Sequence, residues 1–260
     1  MIPVSVTVPQ FNSDPQPFLD LVGDPAGFAG VFVFDHLVPL GDAHRPVLEA
    51  ASTLGAAAAL SSIRMGSLVL RVTMRAPELT AAIAATLEAI APGRTTIGLG
   101  VGDRLTADES ARYGMPTPGL DRRLEVLIET IALIRQFAPG VEIWVGGRHH
   151  KIRALAAELA DGWNCWGASS EEFAEEAAGV RSRAKRPLRI SWGGTVLLAP
   201  DKAQLEELIE RRGGSEGALA GDPETLEVQL DELAKTSDEL VVSVVPNRRA
   251  NWELLSSVIA

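Results

Sequence analysis

The 260-residue sequence predicts a single α/β domain over residues 1–260, folded as a (β/α)8 TIM barrel. Three observations predict it. Short apolar runs rich in β-branched residues alternate along the whole length with longer stretches of helical spacing, as βα units joined into a parallel sheet require. Eight strand runs and eight helical slots are present, and neither a shift in composition nor a Pro/Gly/Ser-rich linker divides them. Eight strands favour closure over an open doubly wound sheet, because a closed ring has no exposed edge.

In chain order, the first strand run is Val4–Val8, with a helical stretch near Pro17–Val22. Gly30–Phe34 leads to Pro46–Leu60, and Arg64–Leu70 leads to Pro77–Ile90. Pro46 and Pro77 sit where a first helical turn tolerates a missing N–H. Thr95–Leu99 precedes Leu120–Phe137, which meets the next strand, Val141–Val145, through only Ala138-Pro139-Gly140. His150–Ala160, Gly162–Trp166, Ser170–Arg183 and Leu188–Leu198 follow in alternation. The seventh slot holds Lys202–Arg211 and Pro223–Ala234, the latter opened by Asp222-Pro223 as a cap and first turn. Between them Gly213–Gly221 reads as a surface loop or a short mobile lid. Glu239–Val245 and Arg249–Ile259 complete the pattern, and Gly93, Gly140 and Gly213 follow helices where a left-handed residue is wanted.

Hydrophobic residues at 46% and charged residues at 22% suit a large packed core. A formal charge of −10 repels phosphate backbones and anionic membrane surfaces, so neither nucleic acid nor a membrane is expected as partner. Any anionic ligand then needs a local basic site. The single cysteine, Cys165, excludes an internal disulfide framework and suits a reducing compartment, making the cytoplasm the expected location. No targeting segment is read at the start. The longest apolar run, Leu54 to Leu60, falls far short of the roughly 20 residues a bilayer requires.

In a barrel of this kind chemistry sits just past the strand ends. The second strand ends in Phe34-Asp35-His36, where a histidine is poised for proton transfer near neutral pH; a helix cap plus a surface histidine is the other reading. After the fourth strand, Gly98-Leu99-Gly100-Val101-Gly102-Asp103 either lets the backbone approach a flat ligand or makes a tight turn out of the barrel. A dinucleotide fingerprint fits poorly, because the third glycine of GxGxxG is missing. The fifth strand ends in Gly146-Gly147-Arg148-His149-His150-Lys151 and enters a helix at once. Cations there oppose the helix dipole, so they call for a bound anion such as phosphate or for full solvation. Asn247-Arg248-Arg249, after the eighth strand, is a second candidate for an anionic substrate. The histidines have no companion set with metal-ligand spacing, so no metal is expected and a zinc hydrolase is disfavoured.

These motifs, in this order, resemble the luciferase-like monooxygenase family and its deazaflavin-dependent branch. The resemblance rests on Gly27–Leu37 for the second strand, on Arg64–Val69 with Met74-Arg75-Ala76-Pro77 for the third, and on Ala85–Ile90, Pro92-Gly93-Arg94 and Ile97–Gly102 for the fourth. Trp144–Gly147, Ala160–Asn164, Gly221–Glu224 and Asp238–Val242 extend it over nearly the full chain.

The resemblance implies coenzyme F420, or alternatively FMN, with its ring in the barrel mouth, and a small organic substrate. It implies that His36 and Asp35 lie near the ring and assist proton movement, and that Leu68-Val69 takes the place of the family's non-prolyl cis peptide, behind the ring. Gly102 and Asp103 would border the ring. Gly146, Gly147 and Arg148 would hold the phosphate tail, and Trp166 and Gly167 join the cofactor-binding set. The reaction implied is hydride transfer between F420 and the substrate. The alternatives are an FMN-dependent monooxygenase served by a separate reductase, and a cofactor-binding protein without turnover. Family members commonly pair their barrels, so a homodimer is expected. Two departures stand out: the connection at Ala138-Pro139-Gly140 is shorter than in relatives, and Arg71 replaces a residue often small or hydroxylic.

Overall fold

The computed structural model describes residues 2–39, 44–103 and 106–260. Its strands are β1 (Val4–Thr7), β2 (Gly30–Val33), β3 (Arg64–Arg71), β4 (Thr95–Gly100), β5 (Glu142–Gly146), β6 (Gly162–Trp166), β7 (Arg189–Leu198), β8 (Ala218–Gly221) and β9 (Glu239–Val245). All pairings are parallel, and β1 to β7 with β9 close a ring in which β1 pairs with both β2 and β9. These eight are the predicted strands, shifted at their ends by a residue or so. The fold is a closed (β/α)8 barrel.

Among the described residues the helices are α1 (Gln16–Gly23), α2 (Ala50–Leu60), α3 (Pro77–Ile90), α4 (Ala107–Arg112), α5 (Leu120–Phe137), α6 (His150–Leu159), α7 (Ser170–Arg183), α8 (Lys202–Arg212), α9 (Pro223–Ala234) and α10 (Arg249–Ile259). They bury their apolar stripes on the outside of the barrel, as Leu127, Ile131 and Ile134 of α5 and Phe173, Ala177 and Val180 of α7 illustrate. Asp222 caps α9 as expected, accepting from the Thr225 N–H at 3.0 Å.

Three local expectations need correction. Part of the Gly213–Gly221 loop is β8, which pairs with the second half of β7 from Thr195↔Ala218 to Leu198↔Gly221. Its Ala-Leu-Ala-Gly run has no β-branched residue to announce a strand. Helix α2 begins at Ala50 rather than Pro46, because the Glu49 side chain caps it by accepting from the N–H groups of Ala51 and Ser52. Gly140 is not left-handed: a Cβ there would lie 2.8 Å from Glu88 Oε1, so the glycine allows α3 and the start of β5 to approach closely.

Inside the barrel the side chains form layers. At the N-terminal end Arg64, Glu142, Arg189 and Glu239 make a belt of alternating charge. Above it Phe32, Leu68, Trp144 and Val241 form an apolar plug, with the Arg64 guanidinium over the Phe32 and Trp144 rings at 5.3 and 5.6 Å. The plug makes the C-terminal mouth a floored cup. Val69 and Trp166 pack on its upper side.

Candidate active site

The mouth is built on the turn after β2. Phe34, still directed into the barrel, stacks on Phe11 with centroids 5.9 Å apart and meets the edge of Trp166 at 5.4 Å. His36 lies beside this cluster, 6.3 Å from the Phe34 ring and 6.2 Å from Phe11. Its Nδ1 is 3.1 Å from Glu109 Oε2, and among the described residues Nε2 has no protein partner. With Glu109 ionised, Nδ1–H donates to the carboxylate, and in the neutral imidazole that tautomer leaves the lone pair on Nε2.

Glu109, which sequence reasoning missed, is the organiser of this corner. It is only 4% exposed, on α4, and it accepts from the N–H groups of Leu37 and Val38 while lying 3.0 Å from Arg71 Nη2. Burial alone would push its carboxyl pKa up. The hydrogen bonds from His36 and Leu37 and the charge of Arg71 more than offset this and hold it below the ordinary value. One carboxylate therefore fixes both the histidine ring and the loop beyond it.

Asp35, expected to assist proton movement, is held in a network with two arginines. It is 3% exposed and accepts from both Nη groups of Arg75, at 2.7 and 2.8 Å, and from the Arg71 N–H at 2.8 Å. Arg71 Nε also donates to the Asp35 carbonyl at 3.0 Å. Both carboxylate oxygens are committed to holding the end of β3 against the turn after β2. That geometry makes Asp35 a strut.

The Leu68-Val69 peptide is cis, at the position the resemblance implied, and the β3–β4 register shifts between Ser67 and Leu70. The Val69 side chain projects across the mouth toward β4 and β5. A Cβ at Gly98 would collide with the Ser67 carbonyl, one at Gly100 with Val69 Cγ2, and one at Gly146 would lie 2.7 Å from Val69 Cγ1. These glycines make room for the bulge. Gly98 and Gly100 thus lie against β3 at the bulge. Gly102 does take a left-handed φ of 72°, and Asp103 beyond it closes a turn by accepting from the Thr106 N–H at 3.1 Å.

The basic segment after β5 is more self-contained than its sequence suggests. Gly147 has φ 134° and donates its N–H to the Asn164 carbonyl. Arg148 turns away from the glycines to α7, where Glu176 accepts at 3.0 and 2.9 Å and Glu172 lies 3.0 Å away. Lys151 pairs with Asp121, and its N–H is capped by His149 Nδ1. The offsetting anions are thus supplied by α7 and α5. Nε and Nη2 of the Arg148 fork are thus engaged by glutamates in this arrangement. What stays open at the start of α6 is backbone: among the described residues the N–H groups of Arg148, His149 and His150 have no protein acceptor.

Trp166 and Gly167 border the mouth at the end of β6, Gly167 with φ 71° and open space where a Cβ would stand. Behind them Cys165 is buried, and desolvation together with the neighbouring Glu176 pushes its thiol pKa up to about 12. The Asn247-Arg248-Arg249 turn is largely spent on structure. Asn247 bridges Thr7 and Trp252, Arg248 donates to Asn251, and Arg249 pairs with Asp24 and Glu253. Among the described residues no group of three or more His, Cys, Asp or Glu side chains could hold a metal ion, and no helix is long and apolar enough to cross a membrane.

The fold is thus a parallel (β/α)8 barrel with a floored apolar mouth and a carboxylate-held histidine after its second strand. The chain belongs to the luciferase-like monooxygenase family, whose model matches residues 21–142 and 137–239. An F420-dependent glucose-6-phosphate dehydrogenase of Beutenbergia cavernae is 36% identical over 135 residues, which cover 51% of this chain and 39% of that protein. The match therefore spans about two fifths of that relative's length. Among solved structures, an F420-dependent secondary alcohol dehydrogenase in complex with an F420-acetone adduct superposes with a TM-score of 0.83 at 14% identity, covering 99% of this chain and 98% of that one. The coenzyme F420 dependent tetrahydromethanopterin reductase of Methanopyrus kandleri gives a TM-score of 0.77 at 18% identity, covering 98% and 97%. At these identities the superpositions speak for the fold alone.

Proposed function

We propose that this chain is an F420-dependent oxidoreductase that moves a hydride between the deazaflavin and a small organic substrate, with His36 as acid/base. The observation that carries the reading is the His36–Glu109 pair: a half-buried imidazole held through Nδ1 at the rim of an apolar cup, with Nε2 unclaimed. Support also comes from the F420 dependence named for the Beutenbergia cavernae relative and for one at 30% identity in Microbacterium testaceum.

The residues present fit a flat ring with an anionic tail. The floor of Val69 and Trp166 is apolar and half exposed, and the unclaimed N–H groups at the start of α6 suit phosphate oxygens. Bound there, the deazaflavin would supply a carbon that gives or accepts a hydride. In this reading Leu68 and Val69 back the ring and Trp166 and Gly167 flank it. Gly102 and Asp103 border it on the β4 side. Gly146 and Gly147 carry the tail to the backbone of Arg148, whose side chain contributes little while Glu172 and Glu176 hold it. Glu109 keeps the imidazole in one tautomer, and Nε2 takes the proton from a substrate hydroxyl or returns it. Asp35 positions this apparatus without exchanging protons.

FMN is the second cofactor to be tested, with reduced flavin from a separate reductase, since the family's name describes monooxygenases. Equilibrium dialysis against F420 and against FMN separates the two: tight binding of FMN alone overturns the F420 reading. Binding of F420 without turnover of any alcohol or aldehyde would favour the cofactor-binding alternative. His36→Ala is expected to slow single-turnover hydride transfer by about 10²- to 10⁴-fold with cofactor affinity largely retained. An unchanged rate would reduce His36 to a structural residue.

We further propose that the chain is one domain, works in the cytoplasm and pairs as a homodimer through α2 and α3. Helix α2 carries no charged residue, and Leu60, Leu79 and Ile90 of these helices are exposed. Light scattering at micromolar concentration tests the dimer. A monomer there rules it out.

A further inference from the structure

Around the ring, β7, β9 and β1 stand opposite β3, β4 and β5, so they form the wall that faces Val69 across the mouth. On β7 the inward residues are Ser191, bonded to Asn164, and Gly193, where a Cβ would strike Trp166; Thr195, two residues on, points to the same side. On β9 they are Glu239 in the belt and Val241 in the plug, and the next is Ser243. Thr195 and Ser243 are partners in register, which sets their side chains next to each other on one face. Thr7 continues the row on β1, one residue past the Val6↔Val242 pair, but it is fully buried, so an incoming molecule meets the other two. Both are half-buried, and among the described residues neither hydroxyl has a hydrogen-bond partner.

Each hydroxyl donates one hydrogen bond and accepts two, and in an otherwise apolar cup a few such groups fix the orientation of a ligand. Above the ion belt β1, β7 and β9 carry no charged residue: Arg189 and Glu239 belong to the belt, while Asp201 and Arg248 lie past the strand ends, capping α8 and donating to Asn251. Ala218 of β8, in register with Thr195, adds only a methyl group. The wall therefore suits hydroxyl or carbonyl oxygens and offers a phosphate no counter-charge. We propose that Thr195 and Ser243 are the polar subsite for the substrate, and that this substrate is an uncharged polyol, with one hydroxyl at His36 Nε2 and another on the wall. Strands about 4.8 Å apart put Ser243 on the order of 10 Å round the ring from β2, a span suited to a chain of several carbons. His36 takes this part only under the oxidoreductase reading above; the hydroxyl pair binds a polyol whether or not that reading holds.

D-sorbitol, hexan-2-ol and sorbitol 6-phosphate share a six-carbon chain and differ in hydroxyl count and charge. The full chain is titrated with each at constant ionic strength, with and without F420, while the Thr195 methyl and Ser243 amide resonances are followed by NMR. Sorbitol is expected to shift both resonances saturably and to bind more tightly than its 6-phosphate. Thr195→Val and Ser243→Ala each remove one hydroxyl with little change in shape. Each should weaken sorbitol relative to hexan-2-ol by about twofold to tenfold, the worth of one neutral hydrogen bond. Tighter binding of the 6-phosphate, no saturable shift at Thr195 and Ser243 with or without F420, or an unchanged sorbitol to hexan-2-ol ratio in the folded variants would overturn the proposal. The wild-type resonances decide even if a variant fails to fold. Sorbitol shifts at both residues without turnover of any alcohol would count against the oxidoreductase reading and leave the subsite standing; turnover of hexan-2-ol without those shifts would do the reverse.

Discussion

Asp35 and His36 are adjacent in the chain, yet their surroundings assign them different work. The Asp35 carboxylate is nine-tenths buried and doubly engaged by Arg75, whose side chain is itself only 10% exposed. Breaking such a pair by removing one partner leaves an uncompensated charge and typically costs about 3–5 kcal/mol. Asp35→Ala is therefore expected to lower the urea unfolding free energy by that order. If Asp35 exchanged protons instead, Asp35→Asn would cost orders of magnitude in rate at little cost in stability, and measuring both distinguishes the two roles. The histidine was legible in the sequence because a titratable side chain at a strand end has few bland uses. Its partner was not. Glu109 reaches His36 across 73 residues of chain from a six-residue helix too short to show a period, and Arg148 looked available because the glutamates that claim it lie a helix further on.

At the scale of elements, strands and long helices were readable because apolar periodicity and proline or glycine punctuation mark them, whereas β8 has four residues and no β-branched side chain, and α4 has six residues, too few to show a period. The bulge in β3 shows why glycine-rich stretches mislead. The Gly98-Leu99-Gly100 run looks like a ligand-approach motif, but its missing side chains are matched to Ser67 and Val69 on the neighbouring β3. Gly100→Ala should thus be destabilising, by about 1–3 kcal/mol as for other overpacked sites. Its clash is with a side-chain methyl, so Val69→Ala should relieve part of the loss. A double-mutant cycle by urea denaturation is expected to give a coupling of about 0.5–3 kcal/mol in favour of the pair. Strict additivity would mean that the glycine serves the mouth and not the bulge. Gly98→Ala meets the Ser67 backbone, which cannot be trimmed, and no such rescue is expected there.

Over the whole molecule, the two ends of the barrel divide the work: the C-terminal mouth stays open and apolar while the N-terminal end is sealed by ions. Arg64, Glu142, Arg189 and Glu239 stand on four strands far apart in sequence, and each alone reads as a charge flanking a strand. Only closure of the ring unites them. Glu239 is 0% exposed; it accepts from Ser5 Oγ at 2.6 Å and pairs with Arg64, and its second oxygen lies 3.4 Å from Arg189. Glu142 lies 3.8 Å from Arg64 and 3.2 Å from Arg189, so it retains only part of the compensation if Glu239 loses its charge. Glu239→Gln keeps the shape and one acceptor but leaves two partly buried guanidinium groups undercompensated. Removing one member of a buried ion pair costs about 3–5 kcal/mol, and the partial solvation of both arginines argues for the lower part of that range. Because the belt links β1, β3, β5, β7 and β9, the loss should fall on the whole barrel. Tryptophan fluorescence in urea should show one transition with a lower midpoint and an unchanged slope. A change below about 1 kcal/mol would mean that water already screens the belt, and a second transition would count against a single domain over residues 1–260.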